Sequence, residues 1–380
     1  MRYTGIICEY NPFHLGHGKQ IRKLKAEFPD DGIVCIMSGN FVQRGKPAIF
    51  DKLTRAKAAA LSGADLVLEL PVTAALSSAE GFAAEGVRLL SSFCHRLCFG
   101  AETADTALLI DTAKALLSEE FKDNLRQQLD TGRSFPAARQ AALAQLGSDS
   151  ALLETPNNIL AVEYCKAILS QGCAMEAYPI LREGSYHEET ADPENPSATA
   201  VRSLMEKGSD WEQFVPGACA QLFRNAPVHR LEAGEKAILA KLRTMTDAEF
   251  EALPYGSEGL WRKLMKNARS CRTLEEILTA TKSKRYTRTR LDRMVMCAFL
   301  GLTEMDLSSP APYARVLAFN DKGREILKAA RQTGNYPNIG DKLDDPYQII
   351  ENRCSALYGL FAEMPEPPDA ESTARVQYVP

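Results

Sequence analysis

The chain has 380 residues, 45% of them hydrophobic and 25% charged, with a formal net charge of −4. That length suits two domains with separate cores, and the composition is that of a soluble globular enzyme rather than a disordered or fibrous chain. The acidic balance excludes polyanion binding by bulk charge, so any nucleic-acid contact must come from local clusters of Lys and Arg.

The first run, "TGIICEY", reads as a strand and not a signal peptide, because it is short and is followed at once by Asn-Pro. Four more apolar runs follow: "GIVCIMSG", "ADLVLELP", "RLCFGAE" and "AMEAYPIL". Between them lie helical segments such as "HGKQIRKLKAEF", "FDKLTRAKAAALSGA" and "AEGFAAEGVRLLSSF". Continuous apolar strands alternating with helices predict an α/β fold with a Rossmann-like parallel sheet covered on both faces. Ligands of such sheets sit at the carboxyl ends of the strands, where "EYNPFHLGH", "SGNFVQRG" and "FGAE" fall.

From about Ser203 helical patterns dominate, broken at Pro254 and "SSPAPY", with "ARVLAFN" as one late strand. The Pro-rich tail "EMPEPPDAESTARVQYVP" is expected to be loosely held. The reading is therefore an α/β domain over residues 1–205 and a mostly helical domain over 206–380. No apolar run approaches the ~20 residues that cross a bilayer, which places the chain in the cytoplasm with no membrane partner.

The ten cysteines are scattered; the closest pair, Cys94 and Cys98, flanks His95 but lacks a nearby fourth ligand. Buried thiols in a reducing compartment account for them, and no metal ligands are assigned. The histidines of "HLGH", His14 and His17, offer more. They lie in the first turn of a helix that follows a strand, where unpaired N–H groups and the helix dipole favour an anion. Gly16 between them lets a nucleotide approach the backbone. Two imidazoles can then donate to a phosphate that gains charge under attack, the electrostatics of adenylyl transfer.

"GIICEYNPFHLGH" resembles the opening of the HxGH nucleotidyltransferase superfamily, and more narrowly the bacterial tRNA(Met) cytidine acetate ligase family. "IMSGNFVQRGKPAIFDKLTRAKAAALSGADLVLELP", "FGAE", "PNNILAVEY", "REGSYH", "SATAVR" and "KSKRYTRTRLDRM" look like further segments of that family, in family order. The resemblance implies an enzyme that activates acetate with ATP as acetyl-adenylate. It would then acetylate the 4-amino group of the wobble cytidine of elongator tRNA(Met). The nucleotide-binding segment carries onto Ile7, Cys8, Glu9, Tyr10, Asn11, Pro12, Phe13, His14, Leu15, Gly16, His17, Gly18, Lys19 and Gln20. Later nucleotide contacts carry onto Gly100, Asn157 and Arg182, while Ala101 stands where the family pattern has a serine. ATP use implies Mg2+, with no ligand cluster to assign, and a homodimer is compatible with the reading.

His14 and His17 are assigned to the α- and β-phosphates. Lys19 and Lys23 sit one helical turn apart and can assist, Lys23 being equally well a solvated residue. Asn158 either caps the following helix or joins Asn157 at the nucleotide. In "SATAVR", Arg202 is the candidate for the leaving pyrophosphate, with Ser197 or Thr199 as the helix cap. "SGNFVQRGKP" is either an ordinary loop or a contact to acetate or the target base. "KSKRYTRTRLDR" gathers Lys282, Lys284, Arg285, Arg288, Arg290 and Arg293 around Tyr286, a footprint for RNA phosphates and one stacked base. A solvated helix face is the plain alternative. A small-molecule adenylyltransferase acting on a phosphorylated acceptor is the second functional reading. It leaves the helical half and its basic segment without a role.

Overall fold

The computed structural model describes residues 2–182, 192 and 195–380. All five apolar runs form strands: β1 (Tyr3–Cys8), β2 (Gly32–Ser38), and then, after the two-residue strands β3 (Phe41–Val42) and β4 (Lys46–Pro47), β5 (Leu66–Leu70), β6 (Arg96–Ala101) and β7 (Glu176–Leu181). Two later strands, β8 (Val316–Phe319) and β9 (Gln377–Tyr378), complete a seven-stranded sheet of order β7-β6-β1-β2-β5-β8-β9. Pairing is parallel from β7 to β5, antiparallel between β5 and β8, and parallel again to β9. Every residue of β2 and β5 is buried, which is why those runs show no alternation of polar and apolar residues.

The helices divide between the faces. α1 (Leu15–Glu27) and α2 (Lys52–Leu61) bury Ile21, Leu24, Ala56 and Ala59 on one side. After α3 (Val72–Ala75), the helices α4 (Ala79–Ser91), α5 (Thr106–Leu117), α6 (Glu119–Asp130), α7 (Phe135–Gln145) and α8 (Pro156–Ser170) gather on the other, around Phe82, Val87, Leu109 and Val162. β1 thus leads to a helix on one face, and β6, its neighbour, is entered from the opposite face. The crevice between their carboxyl ends is the topological switch point at which such sheets bind ligands.

α9 (Ala198–Glu206) leads into the helical half. There Leu231–Thr244, Leu260–Ala268, Leu274–Thr281, Arg288–Leu300 and Tyr347–Tyr358 enclose Ile238, Leu264, Ile277, Met294 and Phe361 in a separate core. Because β8 and β9 return to the sheet, the expected boundary at residues 205/206 is not a boundary of the sheet. "ARVLAFN" does form the late strand.

The expectation of a loose tail is corrected. Glu371 is buried, and Lys52 Nζ lies 2.7 Å from both Glu371 Oε2 and Glu69 Oε2. Arg315 Nε meets Glu351 Oε2 at 2.8 Å in the same cluster. Three carboxylates share two cations; burial, opposed by Lys52 and reinforced by Glu371 and Glu351, pushes Glu69 up to about 7. Among the described residues no helix is long and apolar enough to cross a membrane.

Candidate active site

Beyond β1 the chain turns sharply. Tyr10 adopts a left-handed φ of 46° and the Asn11–Pro12 peptide is cis. A fully buried arginine holds the turn: Arg55 Nη1 donates to the carbonyls of Glu9 at 2.7 Å and Ser38 at 3.0 Å, and Nε donates to that of Phe50 at 2.9 Å. Asn11 Oδ1 accepts from Ile49 N–H at 2.8 Å. The carboxyl ends of β1 and β2 are thus fixed by a cation whose donors are turned to carbonyls.

His14 occupies the N-cap of α1, and its Nδ1 accepts from Gly16 N–H at 3.1 Å. His17 Nδ1 accepts from His14 N–H at 3.2 Å, closing a reciprocal cap. With both δ nitrogens acting as acceptors, each neutral ring carries its proton on Nε2. The rings stack with centroids 3.6 Å apart, and Tyr10 packs 4.8 Å from His17. Burial, and then Arg182 and Arg202, hold His14 down at about 3. Burial, His14 and Arg182 likewise hold His17 well below the ordinary histidine value. At neutral pH the pair is therefore two neutral donors, set at a helix N-terminus and flanked by guanidinium groups.

Arg182 Nη1 donates to Asn157 Oδ1 at 3.1 Å, and Asn157 Nδ2 donates to Glu102 Oε1 at 2.6 Å. Glu102 also accepts from Asn158 N–H at 2.7 Å and Thr155 Oγ1 at 3.0 Å, so the last residue of "FGAE" caps α8. Burial pushes its carboxyl up, but these bonds, led by that from Asn157, hold it below the usual range. Asn158 is bonded to Thr103 on both sides of its amide, a structural clamp. A Cβ at Gly100 would stand 3.0 Å from Arg182 Cγ, so glycine there lets Arg182 cross the strand end. Arg202 donates to the carbonyl of Asn11 and to Thr199 Oγ1, while Ser197 caps α9. Lys19 Nζ donates to Asn195 Oδ1 at 2.8 Å. Of "REGSYH", all beyond Arg182 lies outside the described residues.

Between the sheet and the helical half runs a cleft of about 1360 Å³. Most of the expected nucleotide segment lines it, His14, His17, Lys19 and Gln20 included, together with Lys23, Gly100, Asn157, Arg182 and Arg202. Pro12, Phe13, Leu15 and Gly18 do not; Phe13 is packed in the core against Tyr10. The basic segment divides in the same way. Arg285, Arg290 and Arg293 reach the cleft, whereas Lys282, Lys284, Tyr286 and Arg288 stand outside it. Arg288 is bound to Glu275 at 2.6 Å and Asp292 at 2.9 Å; Arg285 and the Tyr286 hydroxyl both bind Glu258, at 2.6 and 2.7 Å.

The loop "SGNFVQRGKP" joins the two ends. Gln43 N–H donates to Glu9 Oε1 at 2.8 Å, and Arg293 Nη1 donates to Gln43 C=O at 3.4 Å. Gly45 has φ 73°, and a Cβ there would sit 2.4 Å from the Arg293 backbone nitrogen. Among the described residues no three His, Cys, Asp or Glu groups converge to hold a metal ion. Cys94 and Cys98 are buried thiols, the latter pushed up to about 12 by burial.

Arg55 and Glu102 were missed as working residues. Arg55 precedes Ala58 and Ala59 by three and four positions on a buried helical stripe, and that placement of a cation was the available signal. Glu102 gave none, since a cap across 55 residues has no local pattern.

A family model described as HIGH Nucleotidyl Transferase matches residues 1–365. The tRNA(Met) cytidine acetate ligase of Clostridium novyi is 39% identical over 89% of each chain. That of Clostridium tetani is 36% identical over 97% of this chain and 98% of its own. The chain belongs to the tRNA(Met) cytidine acetate ligase family. Two crystal structures of Thermotoga maritima TmcAL, each 28% identical over the whole of both chains, share the fold. The apo form gives a TM-score of 0.90, and the form bound with alpha-thio ATP gives 0.88. The fold of the ligase family therefore spans sheet and helical half as one matched chain.

Proposed function

We propose that the chain is an ATP-dependent ligase that activates acetate as acetyl-adenylate and acetylates the 4-amino group of the wobble cytidine of elongator tRNA(Met). The observation that carries the reading is that His14 and His17 line the same cleft as Arg290 and Arg293. The activity in the names of the curated relatives, and the alpha-thio ATP in the Thermotoga maritima structure, support it.

In the first half-reaction an acetate oxygen attacks the α-phosphorus and the bond to the β-phosphate breaks, releasing pyrophosphate. Charge builds on the phosphate oxygens. The Nε2–H groups of His14 and His17, with Arg182 and Arg202, supply donors without first gathering a proton. Asn157, tied to Arg182 and Glu102, would read a ribose or adenine edge. Mg2+ would arrive on the triphosphate oxygens, largely with its own waters, and would screen their charge. In the second half-reaction the cytidine nitrogen attacks the acyl carbon, and AMP leaves with the bonding pair. Arg285, Arg290 and Arg293 at the cleft, with Lys282, Lys284, Tyr286 and Arg288 beyond it, would receive the RNA backbone.

The test is incubation with ATP, labelled acetate and total tRNA. Label in RNA, with pyrophosphate released only when acetate is present, is the expected result. Pyrophosphate formed only with a phosphorylated small molecule would replace this reading by the adenylyltransferase one.

A further inference from the structure

The helix Leu260–Ala268 buries Leu260, Leu264 and Ala268 on one side. Arg262, Lys263 and Lys266 are exposed on the other, and Arg269 follows them just past its end. Those four positions share one helical face, about 10 Å from first to last. Arg269 is committed to Asp247 at 2.7 Å. Among the described residues, none of Arg262, Lys263 and Lys266 has a carboxylate within ion-pair distance, and the same holds for exposed Lys282 and Lys284. Arg262 lies 4.9 Å over the Trp261 ring, which orders the cation without neutralising it. On a chain of net charge −4, such a run makes a strong local positive field.

Contacts join this face to the rim of the cleft by two routes. Lys263 Nζ donates to the Lys282 C=O at 3.2 Å, which fastens the helix to the segment that carries Arg285 into the cleft. The helix also starts at Gly259, φ 77°, at the end of a turn from Tyr255, itself a residue of the cleft wall. That turn holds Arg290, whose Nη2 donates to the Tyr255 C=O at 2.8 Å and to Ser257 Oγ at 2.9 Å. Exposed cations therefore lead outward from the rim. A cleft that admits an unpaired base leaves the paired part of an RNA outside, where phosphates are the groups a protein meets most readily. Uncommitted Lys and Arg side chains suit those phosphates. An acidic protein segment would meet the same charge, but continuity with the cleft favours the RNA.

We propose that this face is a second RNA-binding surface, which holds backbone phosphates of the base-paired stem beside the target loop, chiefly through Arg262 and Lys266. The proposal rests on the tRNA-acetylating function given above and adds where the paired part of the substrate is held. Its contacts are to the backbone, so it contributes affinity and orientation and reads no sequence.

The experiment uses the full chain with two variants, Arg262→Ala combined with Lys266→Ala, and Lys266→Ala alone. Alanine is the best helix former, so neither change works against the helix. Binding is measured over a range of KCl with a whole tRNA(Met) transcript and with a single-stranded oligonucleotide of its anticodon loop, and acetyl transfer is measured at steady state. The double variant is expected to bind the transcript about tenfold more weakly, with a salt slope smaller by about 2; Lys266→Ala alone should lower the slope by about 1. KM for the transcript should rise while kcat stays within about twofold, the pattern of lost uniform binding. All three proteins should bind the loop oligonucleotide alike. Unchanged affinity and slope would show a merely solvated helix face, or one that serves an acidic protein, and would overturn the proposal. Weaker binding with an unchanged slope, or an equal loss with the loop oligonucleotide, would overturn it too. Should the double variant fold poorly, Lys266→Ala decides alone. A wild-type chain that leaves tRNA unacetylated would instead remove the functional reading beneath it.

Discussion

The two ends of the cleft use charge in opposite ways. At the β1–α1 end sit two neutral imidazoles, their δ nitrogens occupied by backbone N–H groups and their outward nitrogens protonated. In the basic segment, formal charge is dense but largely committed: Arg288 to Glu275 and Asp292, Arg285 to Glu258, Arg290 to the carbonyl of Tyr255 at 2.8 Å. Reactive capacity therefore follows unsatisfied donors and not charge count. A group held neutral by burial, with one nitrogen free, does more at a phosphate than a guanidinium already bidentate to a carboxylate.

The largest effect that would break this comparison comes from the histidines. His17→Ala should lower acetate-dependent pyrophosphate release by about 100- to 1000-fold, as removal of a preorganised donor does, with tRNA affinity unchanged by filter binding. Equal loss of both would mean that the two ends are not separate. At the other end, Arg288→Ala with Arg290→Ala should weaken tRNA binding and reduce its salt slope by about 1 to 2, while adenylate still forms.

A smaller effect sharpens the point about committed charge. Glu275→Gln releases one partner of Arg288 and should tighten tRNA binding by about twofold, the scale of an exposed ion pair. Unchanged or weaker binding would show that Arg288 does not face RNA. The smallest effect is in pH. The unfolded chain protonates His14 near 6.5 and the folded chain only near 3. The unfolded state thus binds the extra proton between those values, and this residue makes stability rise with pH across the window and stay level above it. Denaturant titrations from pH 4 to 8 should show that slope shrink in His14→Asn. The kcat/KM for pyrophosphate release should run flat through pH 6.5.

How much was legible in the sequence follows from where the physics is local. The buried strands announced themselves as unbroken apolar runs, and "HLGH" announced a site because strand, turn and helix start are adjacent in sequence. The tail misled because its composition is that of a loose segment. What holds it is Glu371 on Lys52, an ion pair that joins residues 319 apart, and no local pattern carries such a contact. β9 is two residues long and left no periodicity to read. The basic segment was conspicuous for its charge, but the carboxylates that engage it lie elsewhere in the chain. Which of its arginines reach the cleft became readable only from the fold.

The most direct measurement is 15N NMR of labelled histidine side chains, with and without a non-hydrolysable ATP analogue. The account predicts that His14 and His17 stay neutral from pH 5 to 8 as Nε2–H tautomers, and that both ε signals shift when the analogue binds. Rings that titrate near 6.5 and ignore the analogue would contradict it.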